Sequence, residues 1–178
     1  HAVAALLWAA AAHAAQAAPS ENARLFGARE FVQHVSLSPD GRQLAYIIPA
    51  AGQGTRVVVQ AAEPNAPTTT VLSLDGEPER ALRCDWVSDK RLSCLIYGVE
   101  RGQIIAGFSR NLAVDIDGRN PQLIGNSGKY TFWGGRVIDW LVDTPDKVLM
   151  FSRGVVRVDT TTGKSSLIEP SAPYVNEF

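Results

Sequence analysis

The chain has 178 residues, 46% of them hydrophobic and 20% charged, with 17 basic against 18 acidic side chains. One ordinary domain has about this length. A net charge of −1 with no dense Lys/Arg cluster argues against a nucleic-acid surface or a polybasic membrane patch. Two cysteines exclude a disulfide-rich miniprotein, and fifteen glycines with ten prolines imply many turns.

The first twenty residues contain no Lys, Arg, Asp or Glu. Ala2–Ala12 is wholly apolar, and Ala15-Gln16-Ala17 follows as a small-x-small cleavage site. This pattern predicts a helical secretory signal over residues 1–17, its n-region truncated because the chain opens on His1. The segment is too short for a membrane span, which needs about 20 apolar residues. An Ala-rich helix of the folded domain would need burial all round, and Pro19-Ser20-Glu21-Asn22 breaks that pattern. The expectation is therefore an exported protein, periplasmic or secreted, with no stable membrane span after cleavage. Its two cysteines then meet an oxidising compartment.

Residues 18–30 read as a linker or short helix, and short strands follow. Gln33–Leu37 alternates, Ser38-Pro39-Asp40-Gly41 supplies turn chemistry, and Gln43–Ile48 returns. Arg56–Gln60 and Thr68–Leu74 are rich in β-branched residues and add two strands. Leu82–Val87 then leads through Ser88-Asp89-Lys90 to Arg91–Tyr97, followed by Asn111–Asp115, a turn at Asp117-Gly118, and Pro121–Ile124. The third pass runs Val137–Val142, Thr144-Pro145-Asp146-Lys147, Val148–Ser152, Val155–Asp159, a turn at Thr160–Gly163, and Lys164–Ile168.

The phrase repeats at about 50 residues, the period of a β-propeller blade. Leu44, Leu92 and Val148 follow corresponding turns, Trp86 and Trp140 precede two of them, and Val114-Asp115 matches Val158-Asp159. A β-sandwich also has short strands and regular turns, but it has no reason to repeat one turn phrase at a long period. The expected fold is all-β: about three four-stranded antiparallel blades of an incomplete β-propeller. Blades are expected at about 31–76, 80–126 and 135–170, with the next beginning near residue 174, where Tyr174–Phe178 starts a strand.

Phe31…Val35-Ser36-Leu37-Ser38-Pro39-Asp40-Gly41…Leu44-Ala45-Tyr46 resembles the blade phrase in the N-terminal propellers of the prolyl oligopeptidase family and in periplasmic TolB-type propellers. Three further stretches, Cys84–Leu92, Phe108–Asp115 and Val137–Leu141, are similar to bacterial exported members of that peptidase family. The likeness runs from about Phe26 to the end. It implies a propeller in front of an α/β-hydrolase domain of the same polypeptide. That domain would act on short peptides or small esters, and the propeller would restrict access to it. The chain itself departs from the hydrolase pattern. Gly107–Asn111, Gly125–Lys129 and Gly163–Leu167 all fail the last position of G-x-S-x-G, and His34 precedes every one of them.

Cys84 and Cys94 lie equidistant from Asp89 at the apex of a predicted hairpin. Symmetric pairing about Asp89 sets them directly opposite, with Cα atoms about 4.5–5.5 Å apart, where a disulfide closes. Two buried free thiols are the alternative, and a metal site lacks a second Cys pair or a nearby His. His34, beside Val35 on a strand, reads as a packed or surface residue rather than a general base. Asp115-Ile116-Asp117-Gly118 begins like a calcium loop, but Arg119 and Pro121 follow where further oxygen ligands would be needed. Arg101, Arg110 and Arg119 read as solvated turn charges. No catalytic, cofactor-binding or metal-binding residue is assigned, and no cofactor is implied.

Two readings remain. The chain is the non-catalytic propeller portion of an exported serine peptidase or hydrolase, or it is a non-enzymatic TolB-like propeller that binds a protein or envelope partner. The Cys-Asp-Trp-Val-Ser-Asp phrase favours the peptidase.

Overall fold

A computed structural model of the chain describes residues 20, 27, 29–103, 105–125, 132–152 and 154–171. The expected signal segment, most of the 18–30 linker and the strand expected near residue 174 lie outside these described residues. No helix among them is long and apolar enough to cross a membrane.

The described residues form twelve strands. They are β1 His34–Leu37, β2 Gln43–Pro49, β3 Thr55–Ala61, β4 Thr68–Leu74, β5 Glu79–Ser88 and β6 Arg91–Arg101, then β7 Ile105–Asp115, β8 Gln122–Ile124, β9 Arg136–Asp139, β10 Lys147–Phe151, β11 Gly154–Asp159 and β12 Ser165–Pro170. They pair as three four-stranded antiparallel sheets, β1-β2-β3-β4, β5-β6-β7-β8 and β9-β10-β11-β12, each in chain order. The protein is all-β, as the alternating pattern implied.

Turn chemistry sets the first hairpin. The Ser38 hydroxyl donates to Asp40 Oδ1 at 2.6 Å and accepts from the Gln43 amide at 2.9 Å. Asp40 also accepts from the Arg42 amide at 3.0 Å, and Gly41 takes φ 73°, the left-handed region glycine enters without a Cβ clash. The Ser38 hydroxyl, and after it the Arg42 amide, holds the Asp40 carboxyl below its ordinary pKa.

Period-2 alternation then decides which sheet each side chain faces. Ala81, Cys84 and Trp86 of β5 join Ala45, Ile47, Val57, Val59 and Val71 in a core between the first and second sheets. Val87 of the same strand turns the other way, into a core with Ala113, Ile124, Val148, Met150 and Val158 between the second and third sheets. The second sheet is thus apolar on both faces. Each fully buried Val, Leu or Ile contributes about 1.5–3 kcal/mol.

Two stretches differ from expectation. β6 and β7 are eleven residues each, longer than their apolar runs predicted, because aromatic rings cover the two glycines that interrupt the pattern. Gly98 stands opposite Phe108 in the register, and a Cβ on it would lie 2.4 Å from that ring. A Cβ on Gly107 would meet the Tyr97 hydroxyl at 2.8 Å. β9 ends at Asp139, short of the expected Val142, because Leu141 takes φ 46° and its amide donates to Asp139 Oδ1 at 2.7 Å.

Candidate functional site

The chain's polar chemistry gathers where sheets meet. β1 and β5, the first strands of the first two sheets, lie side by side. The Ser36 hydroxyl donates to the Cys84 carbonyl oxygen at 2.7 Å, and His34 Nε2 lies 3.1 Å from the same oxygen. A carbonyl only accepts, so this contact selects the Nε2–H tautomer of His34. The same nitrogen is 3.4 Å from Asp85 Oδ1. Arg83 grips Asp85 through Nε at 2.7 Å and a terminal nitrogen at 3.2 Å, and this pairing raises the guanidinium pKa further.

His34 and Asp85 are therefore adjacent, and the Ser36 hydroxyl on the same strand as His34 is turned to the Cys84 carbonyl. His34 bridges two sheets.

Cys84 and Cys94 are opposed in the β5–β6 register and joined as a disulfide, with S–S 2.11 Å and Cα–Cα 4.0 Å. Both residues are fully buried in the first core. The pairing is symmetric about Asp89 from Arg83 to Trp86, with irregularities on either side.

The hairpin tips clip successive sheets together. The Asp40 amide donates to Asp89 Oδ1 at 2.9 Å, and Gln43 Nε2 donates to the Asp89 carbonyl at 3.1 Å. One sheet further on, the Ser88 hydroxyl donates to Asp146 Oδ1 at 3.2 Å.

The repeated Val-Asp phrase serves two different ends. Asp115 pairs with Arg91, whose guanidinium also donates to the carbonyls of Asn120 at 3.0 Å and Thr160 at 2.6 Å. Arg91 is 2% exposed and stitches the second sheet to the third. Asp159 instead caps its own turn, accepting from the Thr161 hydroxyl at 2.6 Å and the Thr161 and Thr162 amides at 3.0 Å. The Thr161 hydroxyl, chiefly, lowers the Asp159 pKa from 3.8 to about 2. Arg91 went unnoticed in the sequence because two of its three partners are backbone carbonyls from distant turns. The one signal is Asp115, whose Val-Asp phrase the repeat also explains.

The other singled-out residues do not converge. Asp115 is engaged by Arg91 and by Asn120 Nδ2 at 2.7 Å, and Gly118 turns with φ 81°, so this segment is a hairpin turn. Arg101 is exposed on β6, Arg110 lies 5.1 Å from the Phe108 ring centroid, and Arg119 lies 3.6 Å from its neighbour Asp117. No group of three His, Cys, Asp or Glu side chains able to hold a metal occurs among the described residues. Beside Asp85 a cavity of about 370 Å³ opens between the second and third sheets, rimmed by Trp133 and Trp140.

No protein-family model matches the sequence, and no curated protein matches it. Among solved structures the chain is similar to a puromycin-hydrolyzing peptidase of Mycobacterium tuberculosis, at 18% identity and a TM-score of 0.42 over 83% of this chain. It spans 30% of the length of that peptidase chain.

Proposed function

We propose that this chain is the propeller portion of an exported serine peptidase or related hydrolase of the prolyl oligopeptidase type. On this reading residues 1–17 are the leader, 18–30 a linker, and the sheets are successive blades at about 31–76, 80–126 and 135–170. A separate α/β-hydrolase domain of the same polypeptide carries the triad. The blades narrow the approach to it, admitting short peptides or small esters and turning away folded proteins.

One observation carries the reading. Each sheet is a meander in chain order, and the hairpin joining its first two strands carries related turn chemistry at Ser38–Gly41, Ser88–Lys90 and Thr144–Lys147. The first of these hairpins is hydrogen-bonded to the second, and the second to the third. Repeats of about 50 residues that stack on their neighbours are how blades bury their faces. The buried disulfide is compatible with export.

The coding sequence beyond Phe178 tests this. The proposal expects further blades, then a G-x-S-x-G elbow followed by Asp and His. Further blades ending in a stop codon without an elbow would overturn it in favour of a non-enzymatic TolB-like propeller that binds a protein or envelope partner.

A further inference from the structure

Among the described residues the second sheet packs against a neighbour on both faces, the first and third on one face each. On β1, His34 and Ser36 turn toward the second sheet, so period-2 alternation turns Val35 and Leu37 the other way. They are 54% and 56% exposed. The register sets Tyr46 and Leu44 of β2 beside them, and Val58 of β3 beside Tyr46, so this outward face is apolar. On the third sheet Val148, Met150 and Val158 enter the second core. Leu149, Phe151 and Val155 therefore lie on its outward face.

Neither outward face carries charge that opposes a contact between them. Arg56 is the only Lys, Arg, Asp or Glu in β1–β4. By register the outward face of the third sheet holds Lys147, Arg157 and Arg136 against Asp139, Asp159 and Glu169. Arg136 also borders the cavity toward the second sheet.

The hairpin tips are left open in a matching way. Asp40, Ser88 and Thr144 each stand four residues before the corresponding Leu44, Leu92 and Val148. The first two donate to a carboxylate of the next tip, the Asp40 amide to Asp89 and the Ser88 hydroxyl to Asp146. The Thr144 hydroxyl is the third donor in this series, and it makes no hydrogen bond among the described residues. At the other end of the series stands the Asp40 carboxylate. Its Oδ1 accepts from Ser38 and Arg42, while Oδ2 lies 4.0 Å from Arg42 Nε and can accept one more donor. The tip-to-tip contact that already joins the three sheets can thus continue from Thr144 to an Asp40. Three sheets are too few for a ring, which takes about four to eight. A head-to-tail contact made twice closes by rotation.

We propose that a second copy of this chain covers these faces head to tail, third sheet on first sheet, with the Thr144 hydroxyl of one copy donating to the Asp40 carboxylate of the other. Two copies, each with three four-stranded sheets, then close a ring of six. The inference concerns the 178-residue chain itself, and its test does not involve the coding sequence on which the peptidase reading depends.

The experiment is sedimentation equilibrium of the full chain across micromolar concentrations, with circular dichroism to check the fold of each variant. The wild type should reach a mass twice its 19.2 kDa and grow no further. Val35 is exposed, so Val35→Arg leaves the fold intact, yet it sets an unpaired charge in the seam and should raise the dissociation constant at least about tenfold. Leu149→Arg should do the same from the other side of the seam. Thr144→Val removes one hydrogen bond and should raise it about threefold. An equimolar mixture of the Val35 and Leu149 variants keeps one intact seam, so a two-chain particle should return. A wild-type monomer, or a mass that keeps growing with concentration as an open filament would, overturns the proposal. So does a dimer undiminished by Val35→Arg, or a mixture of the two variants that stays monomeric.

Discussion

The two sheet-to-sheet contacts of this protein are built from different materials. Between the first and second sheets, Ala45, Ile47, Val57, Val59, Trp86, Leu92 and the Cys84–Cys94 disulfide form an apolar layer. Hydrogen bonds reach into it, where Trp86 Nε1 donates to the Ser36 carbonyl at 3.2 Å and the buried Ala81 amide donates to the Thr55 hydroxyl at 2.9 Å. Between the second and third sheets the apolar core is smaller. A buried arginine, a buried asparagine and a cavity occupy the rest. Directed hydrogen bonds cross both contacts, but the second also buries a guanidinium.

Four variants sharpen this contrast, from the largest expected effect to the smallest. Leu92 is fully buried in the first core, so Leu92→Ala should lower unfolding free energy by about 2–5 kcal/mol in urea titrations. Arg91→Ala strips Asp115 of its charged partner and leaves two turn carbonyls without the guanidinium donor. It should cost about 3 kcal/mol, and hydrogen exchange should rise in β10 and β11 before it rises in β2 and β3. Equal exchange across all three sheets would show that the arginine does not act locally. Replacing Cys84 and Cys94 together by alanine should cost about 2–3 kcal/mol, with the largest loss of protection in β5 and β6.

The smallest effect is electrostatic. Asp159 has a folded-state pKa of about 2 against an ordinary 3.8. A depressed carboxylate pKa stabilises the fold above pH 3.8, and that contribution is lost as pH falls toward about 2. Acid titrations of the wild type and Asp159→Asn should therefore converge across that window and run parallel above it. Asp159 lies at an exposed turn, so the difference should be small.

The sequence carried the strands and the disulfide because both follow from local signals. Ser38-Pro39-Asp40-Gly41 and Ser88-Asp89-Lys90 mark hairpins by backbone chemistry, and a marked hairpin places Cys84 opposite Cys94 without further information. The extended β6–β7 ladder escaped because Gly98 and Gly107 weaken a strand on their own, and only the facing rings of Phe108 and Tyr97 compensate. Arg91 escaped for a different reason. Its partners at Asn120 and Thr160 are backbone oxygens, which no side-chain pattern announces. The cavity depends on Ser93 of β6 and Trp133, ahead of β9, lining one space, a juxtaposition that the order of residues does not express.

The central claim is that the chemistry belongs to a catalytic domain outside this chain. The direct measurement compares the 178-residue chain with the longer polypeptide that the proposal expects, on a panel of short peptides and small esters, with fluorophosphonate labelling of any activated serine. The account predicts turnover and a labelled serine beyond Phe178 in the full-length protein, and neither in the 178-residue chain. Turnover by the shorter chain, or a full-length protein that neither hydrolyses nor labels, would contradict it.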